Sequence, residues 1–477
     1  MKKIVIIGGG ISGLSIAYFI IKQFKQKNKK AEIVLIERNS QLGGNITTYS
    51  KDGFVIEGGP DCFISEKPWA IRLCEEIGLS DEFVVTKEEN KCTYVLNKGK
   101  LVELPDGLML MIPTKITPFL MTSLISFPGK IRMGMDLFIP KKKNDFDESL
   151  GSFVRRRLGQ EALDKIAEPL IAGIHAGDPE SMSLRNTFPR FLDMEKKYGS
   201  LIKGMLAGMK QKAERTKEEK SEINKRTMFM SLRGGLIVLI NKIQEKILPD
   251  TRILLNKSVN SINKIDSEQG TQYEIKLSDK SIETADIVII TTPAYEAGKA
   301  VSVFDNELSY TLNNFPYVST ATVSVGFKRS DIKHDLHGFG FVIPRKEKRK
   351  IMATTWTSQK FPNRANEDYV LLRAFLGGVY NQDVLIETDA KVLEIVLNEW
   401  RSIMNIEAEP VLHKIFRWNR AMPQYVLGHE NTVKKIEGLA SQHKGLIIAG
   451  NFLKGVGISD CILNAENTAN NIVDTLI

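Results

Sequence analysis

The 477-residue sequence is poor in residues that staple folds or bind metals, with four cysteines and six histidines. Cys62, Cys74, Cys92 and Cys461 show no C-x-x-C spacing, which argues against a zinc ribbon or a thioredoxin-type redox pair. Isolated thiols and a start without a cleavable leader pattern fit a reducing cytoplasm. Of the histidines, His334 and His337 form the one close pair, in "IKHDLHGFG", with no further ligand cluster; they read as a solvated loop, and no metal is expected. Long apolar runs are missing as well. The richest stretch, 107–139, is interrupted by Lys115, Lys130 and Arg132 and broken by Pro113, Pro118 and Pro128. It falls short of the about 20 apolar residues that span a bilayer. No Ser/His/Asp set and no paired-carboxylate motif appears, and His175 in "AGIHAGD" reads as structural. A nucleic-acid module is also lacking, although the formal charge is +9 and the sequence pI about 9.1. The basic residues are dispersed, at 141–143, 155–157 and 344–350, so no nucleic-acid partner is expected. Acidic small molecules or an anionic membrane surface suit that charge better.

What the chain does have begins at once. "KKIVIIGGG" is a short β-branched run ending in glycine, suited to a buried central strand of a parallel sheet. Gly8, Gly10 and Gly13 give the G-x-G-x-x-G spacing: a tight turn, a close backbone approach to a pyrophosphate, and a helix packed close to the strand. From about Ser12 to Lys25, apolar residues recur at helical spacing, and the helix N-terminus offers amides to a phosphate. A second strand, "AEIVLIE", ends at Glu37, whose carboxylate can accept from both ribose hydroxyls and so favours an adenosine diphosphate without a 2′-phosphate.

The residues after Glu37 narrow the choice of dinucleotide. "RNSQLGGNITT" carries the double glycine Gly43–Gly44, which lets backbone run beneath an extended FAD. With "EGGPDCF" at 57–63, this resembles the FAD-dependent family that holds amine oxidases, phytoene desaturases and protoporphyrinogen oxidases. Members often carry Arg after the double glycine; here it is Asn45. Later segments extend the same lobe: the strand-like "RILLNKSVNSI" (252–262), then "YEIKLSD", then the strand, turn and helix of 285–301. The final segment places a strand at 445–450 and a helix starting near Ile458, aimed at the flavin. The expected fold is α/β: a Rossmann-like FAD lobe built from discontinuous segments (1–65, 228–301 and 413–477). A substrate lobe (66–100, 190–227 and 302–412) and a helical, membrane-contacting lobe (101–189) are inserted into it. The charged stretch 209–226 reads as an exposed helix or loop.

More specific resemblance lies in the insertions. "IPTKITPFL" (112–120), "EPLIAGIHAGDPESMSLRNTFPRF" (168–191), "GFGFVIPR" (338–345), "RWNRAMPQYVLGH" (417–429) and "GVGISDCI" (455–462) together resemble the oxygen-dependent protoporphyrinogen/coproporphyrinogen oxidase family, in unchanged order along the chain. The resemblance implies FAD contacts from Gly8, Gly9, Gly10, Ile11, Ser12 and Gly13; from Glu37, Arg38, Gly43, Gly44 and Asn45; and from Gly59, Pro60, Asp61 and Cys62. It further implies backbone contacts from Val259 to the adenine, Trp418 near the flavin, and Val456, Gly457 and Ile458 closing over it. For the substrate it implies Phe375 and Val342 against pyrrole rings, Gly173 approaching the macrocycle by backbone, and Lys67 facing a propionate. Many relatives have Arg where Gly58 stands.

The chemistry so implied is a six-electron oxidation of a porphyrinogen, coproporphyrinogen III or protoporphyrinogen IX, in haem biosynthesis. Each of three cycles removes a hydride from a meso carbon and a proton from a pyrrole nitrogen, and O2 is reduced to H2O2. Because the product is aromatic, no catalytic side chain is expected beyond groups that position the meso carbon and exclude water. The alternative is another FAD oxidase or desaturase of the amine oxidase or phytoene desaturase group. Expected partners are the porphyrinogen, O2, an anionic membrane surface and a second copy in a homodimer. The expected location is the cytoplasm, peripheral to the inner face of the cell membrane.

Overall fold

The computed structural model describes residues 1–109, 111–113, 115–218, 226–268 and 270–475. Part of the charged stretch 209–226 therefore lies outside the described residues, as do two positions of the apolar stretch 107–139.

Lys3–Ile7 is the centre of a five-stranded parallel sheet, ordered Arg252–Leu254, Glu32–Ile36, Lys3–Ile7, Ile287–Ile290, Leu446–Ile448. Its strands are runs of isoleucine, valine and leucine because both faces are covered. Ile4, Ile6, Ile33, Leu35, Ile287 and Ile289 point to one side, into a core shared with the helices Ile11–Lys27, Ile237–Ile247 and Ile458–Thr475. Val5, Ile7, Val34, Ile36, Val288 and Ile290 point to the other, against the antiparallel sheet Val259–Ser267, Gly270–Leu277, Ile282–Ala285. Each such side chain contributes roughly 1.5–3 kcal/mol of burial. The lobe is thus assembled from the start, the middle and the end of the chain.

The run 252–262 is not one strand. Arg252–Leu254 joins the parallel sheet, whereas Val259 opens the antiparallel cover. The break lies at Asn256, left-handed with φ 57°, where the amides of Asn256 and Lys257 bond to the carbonyls of Asn39 and Glu37. Asparagine tolerates that conformation, and the turn hands the chain from one layer to the next.

A seven-stranded sheet forms the second body: Leu412–Pro423, Tyr317–Lys328, Tyr369–Gly377, Ile351–Trp356, Gly340–Val342, Tyr94–Asn97, Lys100–Glu103. Its back packs Val323, Val325, Phe327, Leu372 and Ala374 against Val392, Val396 and Trp400 of the helix Asp389–Met404. Its front faces the parallel-sheet lobe. A third core is helical, formed around Leu150–Arg157, Glu168–His175 and Pro189–Tyr198, and it continues through Leu201 and Met205.

That helical body is pinned by a fully buried ion pair. Arg157 Nε donates to Asp136 Oδ1 at 2.6 Å, and Asp136 Oδ2 accepts from Ser200 Oγ at 2.6 Å and from the Ile202 amide at 3.0 Å. Removing Asp136 leaves the buried Arg157 with the longer Glu195 contact, at 3.5 Å, as its carboxylate partner. Asp136→Ala is expected to cost about 3–5 kcal/mol in this body, read as a lower urea midpoint and faster proteolysis between 136 and 205; a shift under 1 kcal/mol would contradict the role given to the pair.

Candidate functional site

The glycine loop is shaped by close backbone approach. A Cβ on Gly13 would lie 2.0 Å from the Gly8 carbonyl oxygen, so the helix Ile11–Lys27 packs this tightly on the strand only with glycine there. Gly10 is the N-cap, no side chain caps the helix, and its first turn carries no acid. The first-turn amides, including those of Ile11, Ser12 and Gly13, and the positive end of the dipole are thus left to a ligand. Gly9 donates to Glu37 Oε2 at 2.8 Å, and Glu37 Oε1 accepts from the amide and side chain of Asn39 at 2.8 and 2.7 Å. The carboxylate is buried and oriented, with acceptor capacity left for a hydroxyl. Arg38 is exposed, with Glu296 as its nearest acid at 3.6 Å. Val259 lies where strand pairing shifts register, two residues after Lys257, whose amide bonds to the Glu37 carbonyl, and it packs on the core.

From the loop a track of bare backbone leads away. The Gly43 amide bonds to the Gly9 carbonyl at 2.8 Å and pairs across to Gly10, while Gly44 lies against Gly10. Next, a Cβ on Gly59 would stand 1.9 Å from the Asn45 carbonyl oxygen. Gly10, Gly44, Asn45 and Gly59 therefore form a continuous floor, with Gly44 and Asn45 exposed. An extended dinucleotide would fit this floor, with Glu37 available to a ribose, the helix N-terminus to a diphosphate and Gly59 beneath the ring end. The residues present fit FAD.

At the ring end, Gly58, Gly59, Pro60, Asp61 and Cys62 are held from below. The Gly58 carbonyl accepts from Trp418 Nε1 at 2.9 Å, Thr322 Oγ1 at 2.9 Å and Arg373 Nη2 at 3.0 Å. The same Arg373 nitrogen reaches the Gly59 carbonyl at 2.5 Å. Asp61 pairs with Lys360 at 2.9 Å and accepts from the Cys62 thiol at 3.0 Å. Burial works against the Asp61 carboxylate, but Lys360 and Arg373 outweigh it and hold its pKa well below the usual range. Burial, with Asp61 beside it, pushes the Cys62 thiol up, so this cysteine is not a nucleophile. Val456 and Gly457 lead into the last helix, which opens at Ile458, and the Cys461 amide bonds to the Gly457 carbonyl.

Strand register supplies the opposing wall. Phe375 sits opposite Thr322 and Ala353, Ala353 opposite Val342, and Thr322 opposite Phe416. Cross-strand partners share a face, so Val342, Phe375 and Thr322 line one surface, the one whose Thr322 and Arg373 reach the Gly58 loop. Gly173, exposed near the end of Glu168–His175, comes within 3.8 Å of Val342 when given a Cβ. Lys67 does not point freely into this space: its ammonium is paired with Asp460 at 2.7 Å, and its carbonyl accepts from Ser459. Burial, with Lys67 acting in the same direction, pushes the His175 imidazole down to about 4, so it is neutral at pH 7. The structure thus brings the Gly8–Gly13 turn, Glu37, Gly43–Asn45 and Gly59 together, and it places Phe375 beside Arg373 and Gly173 beside Val342.

Thr322, Lys360, Arg364 and Arg373 were not anticipated from the sequence. Arg373 left a signal, a single arginine inside "YVLLRAFLG", an otherwise apolar strand. Lys360 ends the four-residue helix Thr357–Lys360 and Arg364 follows in a loop, so "SQKFPNR" carries no periodicity to read.

The family described as flavin containing amine oxidoreductase matches residues 11–473. A coproporphyrinogen III oxidase of Bacillus subtilis (strain 168) is 38% identical over 97% of this chain and 96% of its own. The enzyme of the same name from Staphylococcus aureus is 34% identical over the full length of both. A solved protein of Exiguobacterium sp. 255-15, whose description carries the name protoporphyrinogen oxidase, superimposes with a TM-score of 0.83 at 32% identity, covering 99% of this chain and 98% of its own.

The Glu37 contacts make a direct expectation. Glu37→Arg removes the acceptor for the Gly9 amide and places a cation where a ribose hydroxyl would bond. The purified variant should retain a small fraction of the flavin per chain, measured from visible absorbance against protein. A full yellow complement would refute the ribose contact.

Proposed function

This chain belongs to the flavin containing amine oxidoreductases, and we propose that within them it oxidises a porphyrinogen, coproporphyrinogen III or protoporphyrinogen IX, to the porphyrin. Its cofactor is FAD. The observation that carries the reading is the wall of Val342 and Phe375 facing Gly173 beside the ring end of the cofactor track. Relatives named for this activity cover the chain end to end.

When bound, FAD supplies the hydride acceptor and its route to O2. The chain's own residues bind and orient. The N-terminus of Ile11–Lys27 would hold the diphosphate and Glu37 the ribose, while Arg373, Thr322 and Trp418 fix the Gly58 carbonyl of the loop that would lie beneath the ring. Phe375 and Val342 press on pyrrole rings, and the absent side chain of Gly173 lets the macrocycle come close. Lys67 exchanges Asp460 for a propionate carboxylate, a contact that solvent screens. What remains for the protein is to hold the meso carbon about 3–3.5 Å from the acceptor atom and keep water out. O2 uptake with H2O2 formation should follow addition of coproporphyrinogen III or protoporphyrinogen IX, the better substrate showing the higher kcat/KM. Turnover of a simple amine or a carotenoid precursor instead would move the protein to the alternative group of FAD oxidases and desaturases.

The helical body bears on the membrane. Leu120, Met121, Phe127, Ile131, Met135 and Phe138 are all exposed, with Met121 at 82% and Phe138 at 84%. Lys141 and Lys143 lie exposed just beyond them. No helix among the described residues is long and apolar enough to cross a membrane. An apolar patch beside lysines suits peripheral binding to an anionic lipid surface. Flotation with anionic vesicles should carry the protein at low salt and less at high salt; equal absence from the vesicles under both conditions would refute membrane contact.

A further inference from the structure

Beneath the Gly58–Cys62 loop lies a buried cluster whose charges do not balance. It holds three cations, Lys360, Arg364 and Arg373, against two carboxyls, Asp61 and Glu57. Arg373 and Arg364 are almost wholly out of solvent, at 2% and 0% exposure. Their bonds go largely to neutral oxygens. Arg373 serves the Gly58 and Gly59 carbonyls, and Arg364 serves Ser231 Oγ at 2.8 Å, the Leu232 carbonyl at 3.0 Å and the Arg233 carbonyl at 3.2 Å. Among the described residues the Nε atoms of both have no partner. Lys360 packs its ammonium 5.0 Å from the Phe229 ring and 5.1 Å from the Phe361 ring, and its ion pair is with Asp61. Glu57 accepts from Thr48 Oγ1 and the Leu236 amide, each at 2.7 Å. Burial pushes it up to about 7 against the pull of those two donors, Arg364 and Arg373. The cluster therefore carries one net positive charge with Glu57 ionised and two with it protonated.

Buried charge is ordinarily matched by charge. Here the surplus sits directly under the backbone that floors the ring end of the cofactor track. An isoalloxazine that accepts a hydride gains one negative charge along its N1/C2-carbonyl edge. We propose that Lys360 and Arg373 are positioning residues that supply the buried positive field stabilising the anionic reduced ring of FAD, and that Glu57 moderates this field. The inference rests on FAD occupying the track, and it does not depend on which substrate is oxidised. Arg373 has two duties: its Nη2 fixes the loop carbonyls, and its guanidinium carbon lies 4.9 Å from the Phe375 ring, so cofactor floor and substrate wall share one cation.

Sulfite tests this without turnover, because it adds to oxidised flavin to give an anionic adduct that bleaches the visible band. Purified holoenzyme, full length, is titrated with sulfite at pH 8, on the alkaline side of the raised Glu57 carboxyl. Lys360→Met keeps the stem against Phe229 and Phe361 but removes the charge, and it should raise the sulfite Kd about tenfold. Lys360→Arg should return it to within about threefold of the parent. Glu57→Gln keeps its carbonyl oxygen for the Leu236 amide, turns its NH2 to the Thr48 hydroxyl, which can accept, and removes an anion, so the Kd should fall at least about threefold. An unchanged or lower Kd in Lys360→Met, or a shift of both variants in the same direction, would overturn the proposal. If Lys360→Met fails to hold flavin, the Glu57→Gln shift decides alone, and an unchanged or raised Kd there overturns it. A parent protein that holds no FAD would instead refute the cofactor assignment. One that binds FAD and sulfite but oxidises no porphyrinogen would refute the substrate and leave the field assignment standing.

Discussion

Three stretches of backbone from different parts of the first sixty residues meet at separations that leave no room for side chains. The Gly8–Gly13 turn folds on itself, Gly43 and Gly44 lie against Gly9 and Gly10, and Gly59 lies against Asn45. Any Cβ at Gly13 or Gly59 would sit about 2 Å from a carbonyl oxygen, far inside contact distance. Everything functional depends on that closeness. It lays the floor for a dinucleotide, sets the last helix beside the first, and brings the Gly58 loop over the front of the seven-stranded sheet.

The sheet's two faces divide its labour. Its back is a hydrophobic core held by Trp400, whose Nε1 donates to Thr354 Oγ1 at 2.9 Å. Its front carries Thr322, Arg373 and Phe375, which would be poor choices for a core but suit a wall that must grip a loop and meet a ligand. A shift of one residue in register would send these side chains into the core and valines toward the cofactor. Register is consequently a determinant of chemistry here as well as of packing. The buried cations are tolerated because each guanidinium finds several carbonyl or hydroxyl acceptors, so desolvation is offset by directed hydrogen bonds.

Much of the cofactor lobe was legible in the chain itself. The β-branched runs 3–7, 32–36 and 287–290, the glycine spacing and Glu37 are local features, and each local preference agrees with the final fold. The discontinuous lobe was legible because strand–turn–helix units recur in the middle and at the end of the sequence. The run 252–262 misled because its residues favour strand throughout; its partition between two sheets follows from the turn at Asn256, whose amide bonds to Asn39. Periodicity cannot register a bond to a residue more than two hundred positions away.

The seat of Lys67 illustrates the same limit from the side of function. Its place after the glycine loop is a matter of sequence, but its pairing with Asp460 exists only because the last helix packs beside that loop. Arg373 and Lys360 are the extreme case. Nothing adjacent in the chain asks for a cation at either position, and their partners lie some three hundred residues earlier, at Gly58, Gly59 and Asp61. By itself the sequence determined the parallel sheet, the glycine track and the cofactor class, because these rest on period, turn chemistry and residue size along a short length of chain. Only the tertiary structure decided which charges lie beneath the ring and which faces of the second sheet meet it, because burial and charge pairing are set by neighbours in space.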